Sequence, residues 1–298
     1  MSFRTRLPQF LVVFALLAVG GFSQAYAVDN VADTVANANS ASATRYVWAS
    51  NLTLRAQPDG ASAAIARLPF GTAVDLLPAS DSFVPHREVL FKLTAGNNSP
   101  AADVVLEGNW RQVHAGANDG WVFDAYLSRY PVPRLATDKN KHDDESEADF
   151  AKRVFGAKLA QKWETGASKK TADYAAMLKH TKMAAKNTID NVTWEYAEFQ
   201  AGGKYELLGT QPSGGMYSST IDFKDLPLTY GEALLWLRQF GGLAPIGGGS
   251  TIGKFSGKVE PGRSLSIGPA DDDDSGFGFG RTINCNASTC SLSYGFSD

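Results

Sequence analysis

Gly116–Ser128 reads GANDGWVFDAYLS, and the expected fold turns on this stretch. A Gly-, Asn- and Asp-rich turn runs into Trp121-Val122-Phe123, with Tyr126-Leu127 just beyond, the form of a tight turn feeding a short core strand. That reading places Gly120 at the turn and Trp121 in the core. The same pattern extends upstream to Tyr46. YVWASNLTLRAQPDG alternates short apolar runs with Pro-Asp-Gly, and AIARLPFGTAVDLL holds two more runs around Phe70-Gly71. REVLFKLTAGNNSPAADVVLEGNWRQV adds another two. Short strands at close spacing, separated by Gly and Pro, predict a small β-barrel over residues 46–130.

Downstream the composition changes. PVPRLATDKNKHDDESE begins with two prolines and continues as a run of charges, so residues 131–146 are expected to be an exposed, charged linker. From Glu147 the period becomes helical. Ser146 can cap a helix through EADFAKRVFGAKLAQKWE, where Ala148, Ala151, Phe155, Leu159 and Trp163 fall on one face. TADYAAMLKHTKMAAK reads as a second helix, and NVTWEYAEF, KYELLGT and MYSSTIDF read as strands. TYGEALLWLRQFGG is a third helix, opened by a Thr229/Glu232 capping box and stopped by Gly241-Gly242. After the glycine-rich GGLAPIGGGSTIGK, strands return in SLSIG, GFGFGRTIN and CSLSYGF. Residues 147–298 are therefore expected to form an α+β domain.

The N-terminus carries a different signal. Arg4 and Arg6, an apolar stretch from Phe10 to Gly21, and Ala25-Tyr26-Ala27 have the order of a secretory signal peptide ending at residue 27. The apolar stretch is shorter than the roughly 20 residues that span a bilayer. Residues 28–45, rich in Ala, Asn and Ser, read as a disordered tether. A periplasmic or secreted destination follows, with no membrane span after cleavage. The formal charge of −3 becomes −5 when Arg4 and Arg6 are removed, which gives no reason to expect a nucleic acid as partner. The chain has two cysteines, Cys285 and Cys290. In an oxidising compartment, two cysteines this close are expected to form a disulfide.

Four motifs between Tyr46 and Tyr130 resemble a known family. Leu52-Thr53-Leu54-Arg55-Ala56-Gln57-Pro58, Leu68-Pro69-Phe70-Gly71-Thr72, Trp110-Arg111-Gln112-Val113 and Gly120-Trp121-Val122-Phe123-Asp124-Ala125-Tyr126-Leu127 follow one another in the order of the bacterial SH3 domain, SH3b. The segment between Leu77 and Trp110 is longer than that family's connection. The resemblance makes the expected fold class β and α+β, a small SH3-like β-barrel followed by a separate α+β domain. It implies binding to peptidoglycan or to an envelope protein or peptide. Tyr46, Trp48, Phe83 and His86 are the candidate ligand-binding residues, because aromatic rings on a small barrel can stack on a polymer surface.

No catalytic constellation is legible, and no cofactor or metal is expected. His86, His114, His142 and His180 all precede Cys285, and only His180 lies within the second domain; neither G-x-S-x-G nor S-x-x-K occurs. Glu195 and Glu198, three apart on a strand, point to opposite faces. Asp271–Asp274 begins like a calcium loop, but Thr282 stands where an EF-hand has Glu. Ser213–Tyr217 matches the S-G-x-x-Y loop of periplasmic lysozyme inhibitors and is also ordinary turn chemistry. The expected function is non-enzymatic envelope binding. The alternatives are a cell-wall hydrolase with an unrecognised site and a lysozyme inhibitor using Ser213–Tyr217.

Overall fold

In β2 (Asn51–Arg55), Leu52 and Leu54 point into the core while Thr53 and Arg55 are only partly covered, as the two-residue period of a strand requires. The computed structural model describes residues 43–78, 84–96, 99–135, 144–183, 189–212, 215, 217–240, 255–269 and 278–297. The expected signal peptide, the tether to residue 42, Phe83, His142, Ser213, Asp271–Asp274 and the glycine-rich stretch after Phe240 lie outside the described residues.

The described chain is mostly β-sheet, within the expected β or α+β class. β1 (Thr44–Val47), β2, β3 (Ala64–Pro69), β4 (Ala73–Leu76), β5 (Val84–Leu93), β6 (Ala102–Ala115), β7 (Asn118–Phe123) and β8 (Leu127–Ser128) form one antiparallel sheet. Its order is β3-β2-β7-β6-β4-β1-β8, with β5 paired to β6. β1 begins inside the segment expected to be tether, because Thr44 to Tyr46 pair with β4 and the Thr44 hydroxyl bonds Asp75 at 2.7 Å. The long connection before Trp110 contains the hairpin β5–β6, paired from Val84↔Trp110 to Leu93↔Ala102. A single 3-10 turn, Asp124–Tyr126, joins β7 to β8.

Two details of the opening stretch differ from expectation. The left-handed residue of the β6–β7 turn is Gly116, at φ +63°. Gly120 sits within β7 against β2, where a Cβ would lie 2.8 Å from the Leu54 side chain and the Arg55 carbonyl. Glycine is needed there for close strand approach. Trp121 is only partly buried, and Val122 and Phe123 fill the core in its place, because alternation interrupted at Phe123 by the 3-10 turn sends the next rings inward.

The second sheet is built from β9 (Ala157–Glu164), β10 (Ile189–Phe199), β11 (Lys204–Pro212), β12 (Ser218–Leu226), β13 (Phe255–Glu260), β14 (Ser264–Pro269), β15 (Gly278–Cys285) and β16 (Cys290–Ser297). These strands are antiparallel in the order β13-β14-β15-β16-β12-β11-β10-β9. Three helices accompany them among the described residues: α1 (Glu147–Phe155), α2 (Ala172–Thr181) and α3 (Tyr230–Phe240). The helix expected through Glu164 stops at Phe155. Gly156 takes φ +72° and ends it, and Ala157–Glu164 pairs with β10, placing Trp163 opposite Trp194. Cys285 and Cys290 face each other across β15–β16 and are bonded, with Cα atoms 4.0 Å apart.

Packing continues across the boundary expected at 131–146. Ser42–Asp298 forms one compact unit, and one buried apolar cluster runs from Val47 to Leu292. Trp48, just after β1, packs edge-on against Phe150 of α1, with ring centroids 5.7 Å apart, and Tyr130 packs against Phe155 at 5.0 Å. Pro133 is buried, and Arg153 ties Glu145 (2.7 Å) and the Val132 carbonyl (3.1 Å) together. The described ends of the expected linker are therefore part of the packed structure. From the other side, the Phe255 carbonyl of β13 accepts from Thr94 N at 2.8 Å.

Glu232, in the first turn of α3, is the main polar joint. Its carboxylate accepts from Ser128 Oγ, from Arg129 N, Nε and Nη2, and from Thr229 N and Oγ1, all within 2.7–3.2 Å. Burial opposes its charge, but Arg129 and these N–H donors hold its pKa below the usual value. Glu232→Ala should lower stability by about 3 kcal/mol, since it leaves several donors unpaired. Far-UV circular dichroism and tryptophan fluorescence should report a single coincident denaturant transition; two separated transitions would show that the halves fold independently.

Glu147, in the first turn of α1, behaves in the opposite way. Its carboxyl accepts from Trp236 Nε1 and lies beside the Tyr294 hydroxyl. Burial pushes its pKa up from 4.5 to about 7, partly offset by those two donors. A raised folded-state pKa gives stability that is fully present below pH 4.5 and lost as pH rises through about 7. Glu147→Gln should remove that decline, about 3 kcal/mol, in denaturant titrations at a series of pH values.

Candidate functional site

The β5 strand brings His86 and Glu88 to the rim of a cleft of about 390 Å³. Its floor is aromatic. The His86 ring lies 5.3 Å from Trp110 and 4.8 Å, edge to face, from Phe123; Phe123 in turn packs perpendicular to Tyr126 at 5.7 Å. Glu88 is near the Tyr126 phenol, and burial of Tyr126, together with that carboxylate, raises its pKa to about 12.

Three arginines complete the rim: Arg55 from β2, Arg67 from β3 and Arg238 from α3. Arg55 Nη1 donates to the Ser62 carbonyl at 2.5 Å, and Arg67 donates to Thr53 Oγ1. One donor of each is used, and a guanidinium carries five. With Glu88 the only carboxylate among the described lining residues, the rim has a surplus of positive charge. Such guanidinium groups bind carboxylates in a fork geometry. Gly60 also lines the cleft, and a Cβ there would meet no atom within 4 Å.

Of the candidates expected from the sequence, His86 lines this cleft, and Trp110 lines it as well. Trp48 belongs to the core. It is 5% exposed, lies between Phe70 and Phe150, and donates Nε1–H to the Tyr130 carbonyl at 3.0 Å. Its ring is therefore not on a binding surface. Tyr46 is partly buried in β1 and is not part of the cleft lining.

Arg55, Arg67, Glu88 and Arg238 did not emerge from the sequence. Arg55 stands inside the first motif, and strand alternation places Arg67 opposite Thr53; both could have been found that way. Arg238 has no such signal, because only the folding of α3 onto the first sheet brings it there.

The remaining charged residues singled out in the sequence have separate partners. Glu195 faces Lys162 at 3.3 Å, whereas Glu198 accepts from the Tyr196 hydroxyl at 3.0 Å, so the two point apart as expected. His180 is exposed, with its ring 4.3 Å from that of Tyr196. Among the described residues, no group of three or more His, Cys, Asp and Glu side chains could hold a metal ion, and no helix is long and apolar enough to cross a membrane. No protein-family model, curated protein or solved structure matches the chain.

Burial predicts how the two aromatic candidates respond to truncation. Trp48→Ala should destabilise by about 3–5 kcal/mol as a core deletion. His86→Ala, which removes only partly exposed ring contacts, should cost about 1 kcal/mol. Chemical denaturation of both variants would measure the difference.

Proposed function

We propose that this chain is an exported, non-enzymatic binding protein that holds carboxylate-bearing envelope material, peptidoglycan or peptide, in the cleft between His86 and Arg238. The observation that carries the reading is the set of three arginines, Arg55, Arg67 and Arg238, around the aromatic floor of Trp110, Phe123 and Tyr126. Rings provide stacking area while the arginines select carboxylates. A cleft of about 390 Å³ falls within the size range of ligand pockets.

In this reading the first sheet is an SH3b-like barrel, supported by the order of the four motifs and by the place of Trp110 and Phe123 in the cleft. The Cys285–Cys290 bond supports a periplasmic or secreted location, since such bonds persist in oxidising compartments. The same bond leaves neither sulfur as a thiolate nucleophile.

Sedimentation of the purified full chain with insoluble peptidoglycan tests the reading. The wild type should co-sediment without clearing the suspension. Replacing both Arg67 and Arg238 with Ala should weaken binding by at least about tenfold, the equivalent of one lost charge-assisted hydrogen bond. Equal binding by the double variant, or clearing of the suspension by the wild type, would overturn it.

A further inference from the structure

Two cross-strand pairs, Trp110↔Phe123 and Gln112↔Trp121, stand next to each other on β6 and β7. Partners in such a pair share a face of the sheet, as do residues two apart on one strand. Trp110 and Phe123 form the cleft floor, and the His86 ring packs over them. Gln112 and Trp121 continue the same face and are both half-exposed. The residues next to them in sequence, Val113 and Val122, are fully buried on the opposite face. On the far side of β7, Trp121 is paired with Arg55, which also lines the cleft. Trp121 is thus bordered by cleft residues both across its strand and along it, its Cα about 7 Å from that of Phe123.

A half-exposed tryptophan alone is ordinary surface. Trp121 differs in what stands around it. Among the described residues, neither its indole N–H nor the Gln112 amide has a hydrogen-bond partner. Arg55 uses Nη1 on the Ser62 carbonyl, and a guanidinium keeps further donors. An indole, a neutral amide that both donates and accepts, and a guanidinium therefore lie in one row across β6, β7 and β2. A pyranose ring fits that row. Its C–H face stacks on an indole, and its hydroxyl or N-acetyl groups bond an amide.

We propose that Trp121 and Gln112 form a sugar subsite continuing the cleft, so that the chain recognises an N-acetylated amino sugar that carries an acidic peptide, the unit of peptidoglycan. The sugar ring lies on Trp121, its N-acetyl group meets Gln112, and the carboxylate reaches Arg55 and the other arginines of the cleft. The carboxylate contact rests on the cleft reading; the sugar contacts do not depend on it. Glycan-bearing ligands are favoured over bare peptides, because a peptide can fill the cleft but leaves Trp121 and Gln112 uncovered.

Two soluble probes titrated calorimetrically into the full chain test this. Muramyl dipeptide carries the sugar, and N-acetyl-L-alanyl-D-isoglutamine has the same carboxylate and acylated N-terminus without it. Muramyl dipeptide should bind saturably and at least about tenfold more tightly than the sugarless peptide. Trp121→Leu should bring it to the affinity of that peptide, and Gln112→Ala should narrow the gap by at least about threefold, the equivalent of one neutral hydrogen bond. Thermal melts establish that each variant is folded. Should Trp121→Leu fail to fold, Gln112→Ala, whose side chain lies outside the core, decides alone. Equal affinity of the two probes, or a gap undiminished in every folded variant, would overturn the sugar subsite and leave the cleft reading standing. Binding of muramyl dipeptide that needs Trp121 but not Arg67 and Arg238 would uphold the subsite and remove the cleft reading. Saturable heat from neither probe would overturn both.

Discussion

The carboxylate of Glu232 accepts hydrogen bonds from two parts of the chain that are a hundred residues apart, and much of the architecture depends on it. Within α3 it closes the capping box with Thr229, whose hydroxyl accepts from Glu232 N at 3.2 Å. Outside α3 it collects Ser128 and Arg129 from the end of the first sheet. A carboxylate this buried is tolerated only when nearly every lone pair has a donor. Meeting that demand aligns the helix with the strand end, and Arg129 and Tyr130 extend the contact to the Pro227 carbonyl. The aromatic core then closes around this joint: Phe150 against Trp236 at 5.0 Å, and Phe155 stacked on the same indole.

Because α3 is fixed in this way, its two ends serve different places. Tyr230 and Gly231 line a cavity of about 470 Å³ that Arg45 also lines, while Arg238 reaches the cleft that Glu88 lines. Eight residues of helix separate Tyr230 from Arg238, about 12 Å of rise. A rigid rod of that length makes both concavities products of one docking event.

Much of this fold was legible where local chemistry decides it. The Thr229/Glu232 capping box, the Ser146 cap, the alternation of Leu52 and Leu54 and the spacing of the two cysteines all act over a few residues. Leu159 and Trp163 were misread because a helical period and a strand period agree over short apolar spacings, and only the left-handed Gly156 breaks the helix. Trp48 read as a surface ring because nothing local reveals Phe150 waiting on the far side of it. Likewise, Arg55 could be found inside a motif and His86 as a ring in the long connection before Trp110, whereas Arg238 becomes part of the cleft through tertiary packing alone.

The seam between Trp48 and Phe150 also bears on how such a chain can be rearranged by gene fusion. A cut near residue 131 follows the change in composition, and would look like a natural joint for shuffling modules. The fragment it releases would expose the Trp48 ring and lose Arg238 from its cleft. Insertions in the β5–β6 connection beyond Thr94 leave the Trp48–Phe150 seam alone by contrast, since they lengthen a hairpin paired along its own strands, provided that Thr94 keeps its bond to the Phe255 carbonyl. Variation in this lineage is thus expected to accumulate in that hairpin, and the two sheets to be inherited together.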